Sequence, residues 1–398
     1  MSQSKKLIPR RRFREFGGAG EWQTNKLSAM AEFSKGNGYS KNDLREYGIP
    51  IILYGRLYTK YETIIKSVDT FVEKRTNSAV FSTGVEVVVP ASGETSEDIA
   101  RASFIEQSDL IIGGDLNILK PRTRINSVFL ALSLSNGNQR KELIKRAQGK
   151  TVVHIHNSDL KEVNLNFPIK SEQTKIGEFF KKLDNLINTQ QKKLEKAKTL
   201  KSAYLREMFP NEGELKPRLR FTGFNISWKE KKLEEITKTT IGEFVIKTKQ
   251  NPNSPYPVYN GGISYTGFYD EFNNEANKIV ISARGANAGF INIVRNRYWA
   301  GNSCYSINII NNTLLSIDYL FYSLKRNQHF FTQNQQAANI PSVSKKEVET
   351  FTVLLTNITE QTKIGNFFKL LDDKIALEQK KLAKLKNIKQ AYLNEMFI

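Results

Sequence analysis

One tract of this chain is written twice. Residues 174–194 read TKIGEFFKKLDNLINTQQKKL and residues 362–382 read TKIGNFFKLLDDKIALEQKKL, with fourteen of twenty-one positions identical at a constant offset of 188. The similarity runs on into AYLREMFP (203–210) and AYLNEMFI (391–398), and it is preceded by an acid–amide pair, Glu172-Gln173 and Glu360-Gln361. The lead-in to each half repeats as well. RRRFREFGGAGEW (10–22) and RLRFTGFNISW (218–228) set Phe13, Phe16 and Trp22 beside Phe221, Phe224 and Trp228. Between these landmarks the halves diverge, apart from a weaker echo of VEVVVPASGE (85–94) in NKIVISARGA (277–286). Such self-similarity makes each half one structural unit. With only two copies, the arrangement it predicts is a pseudo-two-fold dimer inside one chain.

The repeated tails predict long helices. No Pro or Gly falls between Gly177 and Pro210, and apolar residues recur at steps of three and four. The seam reads Phe180, Leu183, Ile187, Leu194, Ala197 and Tyr204 in the first copy, and Phe368, Leu371, Ile375, Leu382, Leu385 and Tyr392 in the second. This is a heptad pattern, interrupted at matching positions by Gln190 and Glu378. Ser171 or Thr174, and Thr362, are candidate N-caps. A helix over 172–208 is roughly 55 Å long, against a radius of gyration of roughly 14 Å for one body. The second body follows the first helix through a short link and leads directly into the second helix. Helices packed along their seams therefore run antiparallel, and the expected shape is a dumb-bell with a helical rod. The predicted segments are a first domain (1–170), a helix (171–209), a second domain (210–359) and a second helix (360–398).

The bodies read as mixed α and β. Strand-like runs are PIILYGRLY (50–58), VEVVVP (85–90), QSDLIIG (107–113), NKIVIS (277–282), GFINIV (289–294) and SCYSINII (303–310). Helical runs are NSVFLALSLS (126–135), QRKELIKRAQ (139–148) and SIDYLFYSLKRN (316–327). At 398 residues the chain exceeds the usual limit of a single core. Its net charge of +20 is spread along the length and points to a polyanionic partner, most often nucleic acid. The loops suit double-stranded DNA, because Arg and Asn can meet base edges while Lys, Ser, Tyr and backbone amides can meet phosphate. The candidate contacts are Tyr54, Arg56, Lys60, Ser92 and Gly93 in the first half, and Tyr265, Arg284, Gly285, Asn287 and Asn302 in the second.

Motifs for chemistry are missing. QGKT (148–151) lacks the upstream glycine of a P-loop, and NPNSPYP (251–257) departs from the adenine-methyltransferase loop. His154 and His156, on a predicted strand, are expected to face opposite ways. The single cysteine, Cys304, lies in an apolar run, excludes a disulfide within the chain and fits a cytoplasmic protein. No run of about eighteen apolar residues could span a membrane. No catalytic residue and no metal site is predicted.

Two divergent bodies, each followed by a near-identical helix, resemble the specificity subunit of type I restriction–modification systems. EQTKIGEFFKKLDNLI, EQTKIGNFFKLLDDKI and the AYLxEMF tails carry the resemblance, which covers essentially the whole chain. It implies two target-recognition domains, each reading one half of a split DNA site, with the helices setting the spacer. It also implies docking of two methyltransferase subunits, for which the seam residues Phe180, Leu183, Ile187, Leu194, Tyr204, Phe368, Leu371, Ile375, Leu382 and Tyr392 are candidates. Those subunits would use S-adenosylmethionine to methylate adenine, and two restriction subunits would use ATP and Mg²⁺; the chain itself binds no cofactor and is not an enzyme. A stand-alone bipartite DNA-binding regulator is the alternative, but it predicts a compact reader such as a helix-turn-helix, for which no sequence pattern is present.

Overall fold

Two helices of nearly equal length dominate the secondary structure: Lys170–Glu207 and Ile358–Met396. The structure, a computed structural model, describes residues 6–149, 151–333 and 341–398, so the basic N-terminal run and the lysine of QGKT are only partly covered or lie outside it. Each helix begins upstream of its expected caps. Thr174 and Thr362 sit inside the first turns and donate their hydroxyls back to the carbonyls of Lys170 and Ile358. Asn357 caps the second helix, its side-chain oxygen accepting from the Glu360 N–H at 3.0 Å.

The chain separates into two units, and the division cuts through both helices. One unit comprises Met1–Gln190 with Lys381–Ile398; the other is Gln191–Lys380. Each unit therefore owns the first part of one long helix and the last part of the other. Inside the first unit Asp184 pairs with Lys389 and Phe179 packs edge-on against Tyr392 at 4.9 Å. Inside the second, Asp372 pairs with Lys201, and Phe367 packs edge-on against Tyr204 at 5.0 Å. The paired residues are repeat equivalents, 188 positions apart. In both units the helices run antiparallel, as connectivity predicts, and in the same register.

The bodies share one topology. In the first unit a sheet orders Ala31–Lys35, Leu116–Pro121, Val87–Pro90 and Ser103–Ile105, with Ile64–Ile65 at its edge. In the second, Thr237–Ile241, Cys304–Ile309, Lys278–Ser282 and Ile291–Val294 follow the same order. Beside it, Ile49–Ile52 runs parallel to Ser108–Ile112, just as Tyr256–Tyr259 runs parallel to Trp299–Ala300. The weak sequence echo is thus the shared central strand, and its apolar residues Val87–Val89 and Ile279–Ile281 are buried in both units. The run 50–58 departs from expectation: the strand stops at Ile52 and Arg56–Thr59 forms a helical turn. Of the described helices, none is long and apolar enough to cross a membrane. The architecture is mixed α/β, two similar units each built with long helices.

Candidate nucleic-acid interface

The repeated residues act as joinery. Arg12 donates two parallel hydrogen bonds to Glu172 at 2.7 and 2.6 Å, and Arg220 does the same to Glu360 at 2.6 and 2.7 Å. The carboxylates are 1% and 0% exposed, so each bidentate pair ties a lead-in segment to the start of a long helix away from water. The neighbouring amides finish the joint. Gln173 accepts from the Asn126 N–H and donates to the carbonyls of Pro168 and Arg124; Gln361 accepts from Ser316 N–H and donates to those of Thr356 and Leu314. Gly177 and Gly365 allow the body helices to approach. A Cβ on Gly365 would lie 2.7 Å from the Asp318 Cβ, and one on Gly177 would lie 3.2 Å from the Val128 Cβ.

The far ends of the helices also insert. Phe209 stacks among Trp228, Tyr319 and Phe368 in the second core. Its repeat equivalent Phe397 lies among Trp22, Phe129 and Phe180 in the first. The tail of each repeat thus completes the core of the other half.

This frame corrects part of the predicted docking surface. Phe180, Leu183, Phe368, Leu194 and Leu382 are buried, and Ile187, Tyr204, Leu371, Ile375 and Tyr392 are half-buried. Phe180 and Phe368 belong to the cores, because a seam that packs on its own body has no free face. The exposed apolar positions on the helices are instead Leu186, Leu200, Leu370 and Leu377.

At the other end of each body, glycines draw loops together. In the first unit a Cβ on Gly36 would meet the Gly113 carbonyl oxygen at 2.0 Å; in the second, one on Gly242 would meet the oxygens of Ala300 and Gly301 at 2.3 Å. Gly36 and Asn37 donate to Leu116 and Ile112; Gly242 and Glu243 donate to Cys304 and Ala300. Gly113 N–H then bonds to Ile52, and Gly301 N–H to Tyr259. Loops 36–39, 53–56 and 113–115 meet in one unit, where Ala91 N–H also bonds to the Asp115 carbonyl. Loops 242–246, 260–265, 283–288 and 301–303 meet in the other.

The predicted contacts sort unevenly onto these loops. In the second unit Tyr265, Arg284 and Asn287 are exposed, with Gly285 (φ +92°) and Asn302 half-exposed beside them. The Arg284 side chain is exposed, and the backbone of this residue bridges to Ser342. The first unit differs. Arg56 is spent on Asp69 and Glu62, and Lys60 on Asp69 at 2.6 Å. Bonds from Lys60 and Arg56 lower the Asp69 carboxyl to about 2, so it stays charged and holds both cations. Ser92 and Gly93 are corrected outright: both are buried in the strand Ser92–Gly93, which pairs with Val153–His154. Tyr54 is half-buried and packs on Tyr58. His154 and His156 do not face opposite ways: the strand ends at His154, His156 is the N-cap of the helix Asn157–Lys161, and both are exposed with near-parallel rings. Cys304 is buried, which raises its thiol to about 11 and leaves it unreactive.

Sequence reading missed Asn37, Gly114, Glu243 and Phe244, which the glycine contacts bring into the same loop clusters. The available signal was Gly36 and Gly242, which share the 206-residue offset of Trp22 and Trp228.

The family described as the type I restriction modification DNA specificity domain matches this chain twice, over residues 19–199 and 225–387. The chain belongs to that family. A protein of Mycoplasma genitalium named as a type I specificity subunit is 25% identical over 284 residues, 71% of this chain and 73% of that protein. One named as the specificity subunit of a type I restriction enzyme in Methanocaldococcus jannaschii is 22% identical and covers 94% of this chain and 92% of its own length. In fold, the crystal structure of the type I restriction-modification S subunit from M. genitalium superposes with a TM-score of 0.72 at 19% identity, covering 98% of this chain and 99% of that one. The two matched stretches take in most of each body and most of each long helix, so the glycine-gathered loops lie within them.

Proposed function

We propose that the two bodies of this specificity chain each read one half of a split double-stranded DNA target through their gathered loops, while the paired helices fix the number of unread base pairs between the halves. The observation that carries this is one topology built twice with different loop side chains, locked to helices in the same register. Invariant joinery with variable loops suits a reader that must hold geometry constant while its sequence preference differs between halves.

In this reading Tyr265, Arg284, Asn287 and Asn302 meet the duplex in the second unit, and Asn37, Tyr54 and Gly114 lie at the corresponding surface of the first. Two methyltransferase subunits dock along the helices, on faces that include Leu186, Leu200, Leu370 and Leu377. They carry S-adenosylmethionine and methylate adenine flipped from the duplex. Two restriction subunits, using ATP and Mg²⁺, complete a nuclease in the cytoplasm, and this chain supplies recognition without chemistry of its own. The stand-alone regulator is not favoured by any observation.

Co-expression of the full chain with a type I methyltransferase subunit from the same genome tests the proposal. The expected result is a stable co-purifying complex that methylates adenines in one two-part motif. Failure to co-purify, together with methylation that ignores this chain, contradicts it.

A further inference from the structure

The loop 242–246 of the second unit is held at both ends and presents an aromatic between them. Gly242 and Glu243 donate to the carbonyls of Cys304 and Ala300 at 3.2 and 2.9 Å. At the other end the Tyr269 hydroxyl takes the Ile246 N–H at 2.7 Å and donates to the Ile246 carbonyl at 2.8 Å. Phe244 stands between these anchors, 73% exposed. A side chain so exposed on so constrained a backbone is displayed rather than left slack. Ile246 on the same loop, Ile263 and Tyr265 on the one gathered beside it, and Ile241 at the end of the strand leading in are exposed too.

The first unit has no counterpart. Its equivalent loop is pinned by the same two backbone bonds at Gly36 and Asn37, but the next residue is Gly38 (φ +64°), whose carbonyl accepts from the Gly114 N–H at 2.7 Å. None of the large exposed apolar residues of that unit falls in its gathered loops, among the described residues.

Duplex edges are polar and hydrated, with one exception: the C5-methyl of thymine, which projects into the major groove and accepts apolar contact. Resting on the proposal that these loops read DNA, we infer that Phe244 packs on a thymine methyl in the half-site read by the second unit, and so specifies thymine at that position. The first unit, with glycine there, reads its half-site without such a contact.

The test uses the full chain with its methyltransferase subunits and the split target mapped from its own adenine methylation. Duplexes carry deoxyuridine for thymine, one position at a time, which removes only the methyl. We expect one replacement, in one half-site, to weaken binding by about five- to tenfold. Phe244→Ala should lose a similar factor on the normal duplex and be indifferent to that replacement, while Phe244→Leu should keep part of the preference. Wild-type binding unmoved by every replacement overturns the inference, even if Phe244→Ala weakens binding, since that pattern marks an aromatic wedged between bases. A replacement penalty that persists in Phe244→Ala overturns it as well. If the wild-type complex marks no split motif, the parent reading fails and takes this inference with it.

Discussion

Glu172 and Glu360 show why the repeat begins upstream of its most conspicuous letters. Each is a buried carboxylate whose charge is met by one arginine from a distant lead-in. Removing one partner of such a pair leaves the other uncompensated, at a cost of about 3–5 kcal/mol. Glu360→Ala should therefore lower the stability of the second unit by about that much in a urea titration. The apolar double variant Arg220→Met/Glu360→Leu should recover most of the loss, because it leaves no stranded charge. Lys325 offers a second test. Burial, with the nearby Lys201 charge adding to it, lowers its pKa to about 8, against the opposing pull of Asp372. The unfolded chain keeps that proton to about pH 10.4. Between these values Lys325 itself holds less proton folded than unfolded, so its own contribution to stability should rise with pH from 8 upward, while the buried hydroxyls of Tyr298, Tyr319 and Tyr322, held above the ordinary tyrosine range, pull the other way as pH nears 10. Chemical denaturation of the wild type and of Lys325→Met side by side should show it as a stability difference that moves in favour of the wild type as pH rises through this range.

At the scale of elements, the long helices are structural parts of both cores. If Phe209 completes the second core and Phe397 the first, each truncation should loosen only the core its own side chain enters. Phe397→Ala should cost about 3–5 kcal/mol and speed amide hydrogen exchange in the helices Ser127–Leu134 and Gly137–Arg146 of the first unit. Phe209→Ala should do so in Ile317–Arg326 of the second. Much of this level was legible in the sequence. Uninterrupted heptads announced the helices, apolar runs announced the central strands, and connectivity forced the antiparallel pairing. What stayed hidden was destination. Heptad periodicity says that Phe180 and Phe368 are covered, but not whether a second helix, a partner or their own body covers them. The loop residues were hidden for a related reason. Ser92 and Gly93 looked like a recognition loop because small polar residues follow a strand. Only a partner strand 60 residues away, Val153–His154, shows that they are interior. Arg56 looked free because its acids, Glu62 and Asp69, are brought to it by chain turns that no local pattern displays.

At the scale of the whole molecule, the proposed function stands on the duplicated tract setting the distance between two readers. The symmetric register sharpens how to disturb it. Deleting 187–193 alone would break the matching of Asp184 with Lys389 against that of Lys201 with Asp372. Deleting 187–193 together with 375–381 removes one heptad from each repeat and preserves both. Each helix shortens by about 10 Å, close to three base pairs of duplex. The decisive measurement is a genome-wide map of methylated adenines made with the wild-type chain and with the doubly shortened one, each beside its methyltransferase subunit. The account predicts a two-part motif in both maps, with unchanged half-sites and an unread gap altered by a fixed number of base pairs, about three. An identical gap in both maps would contradict it.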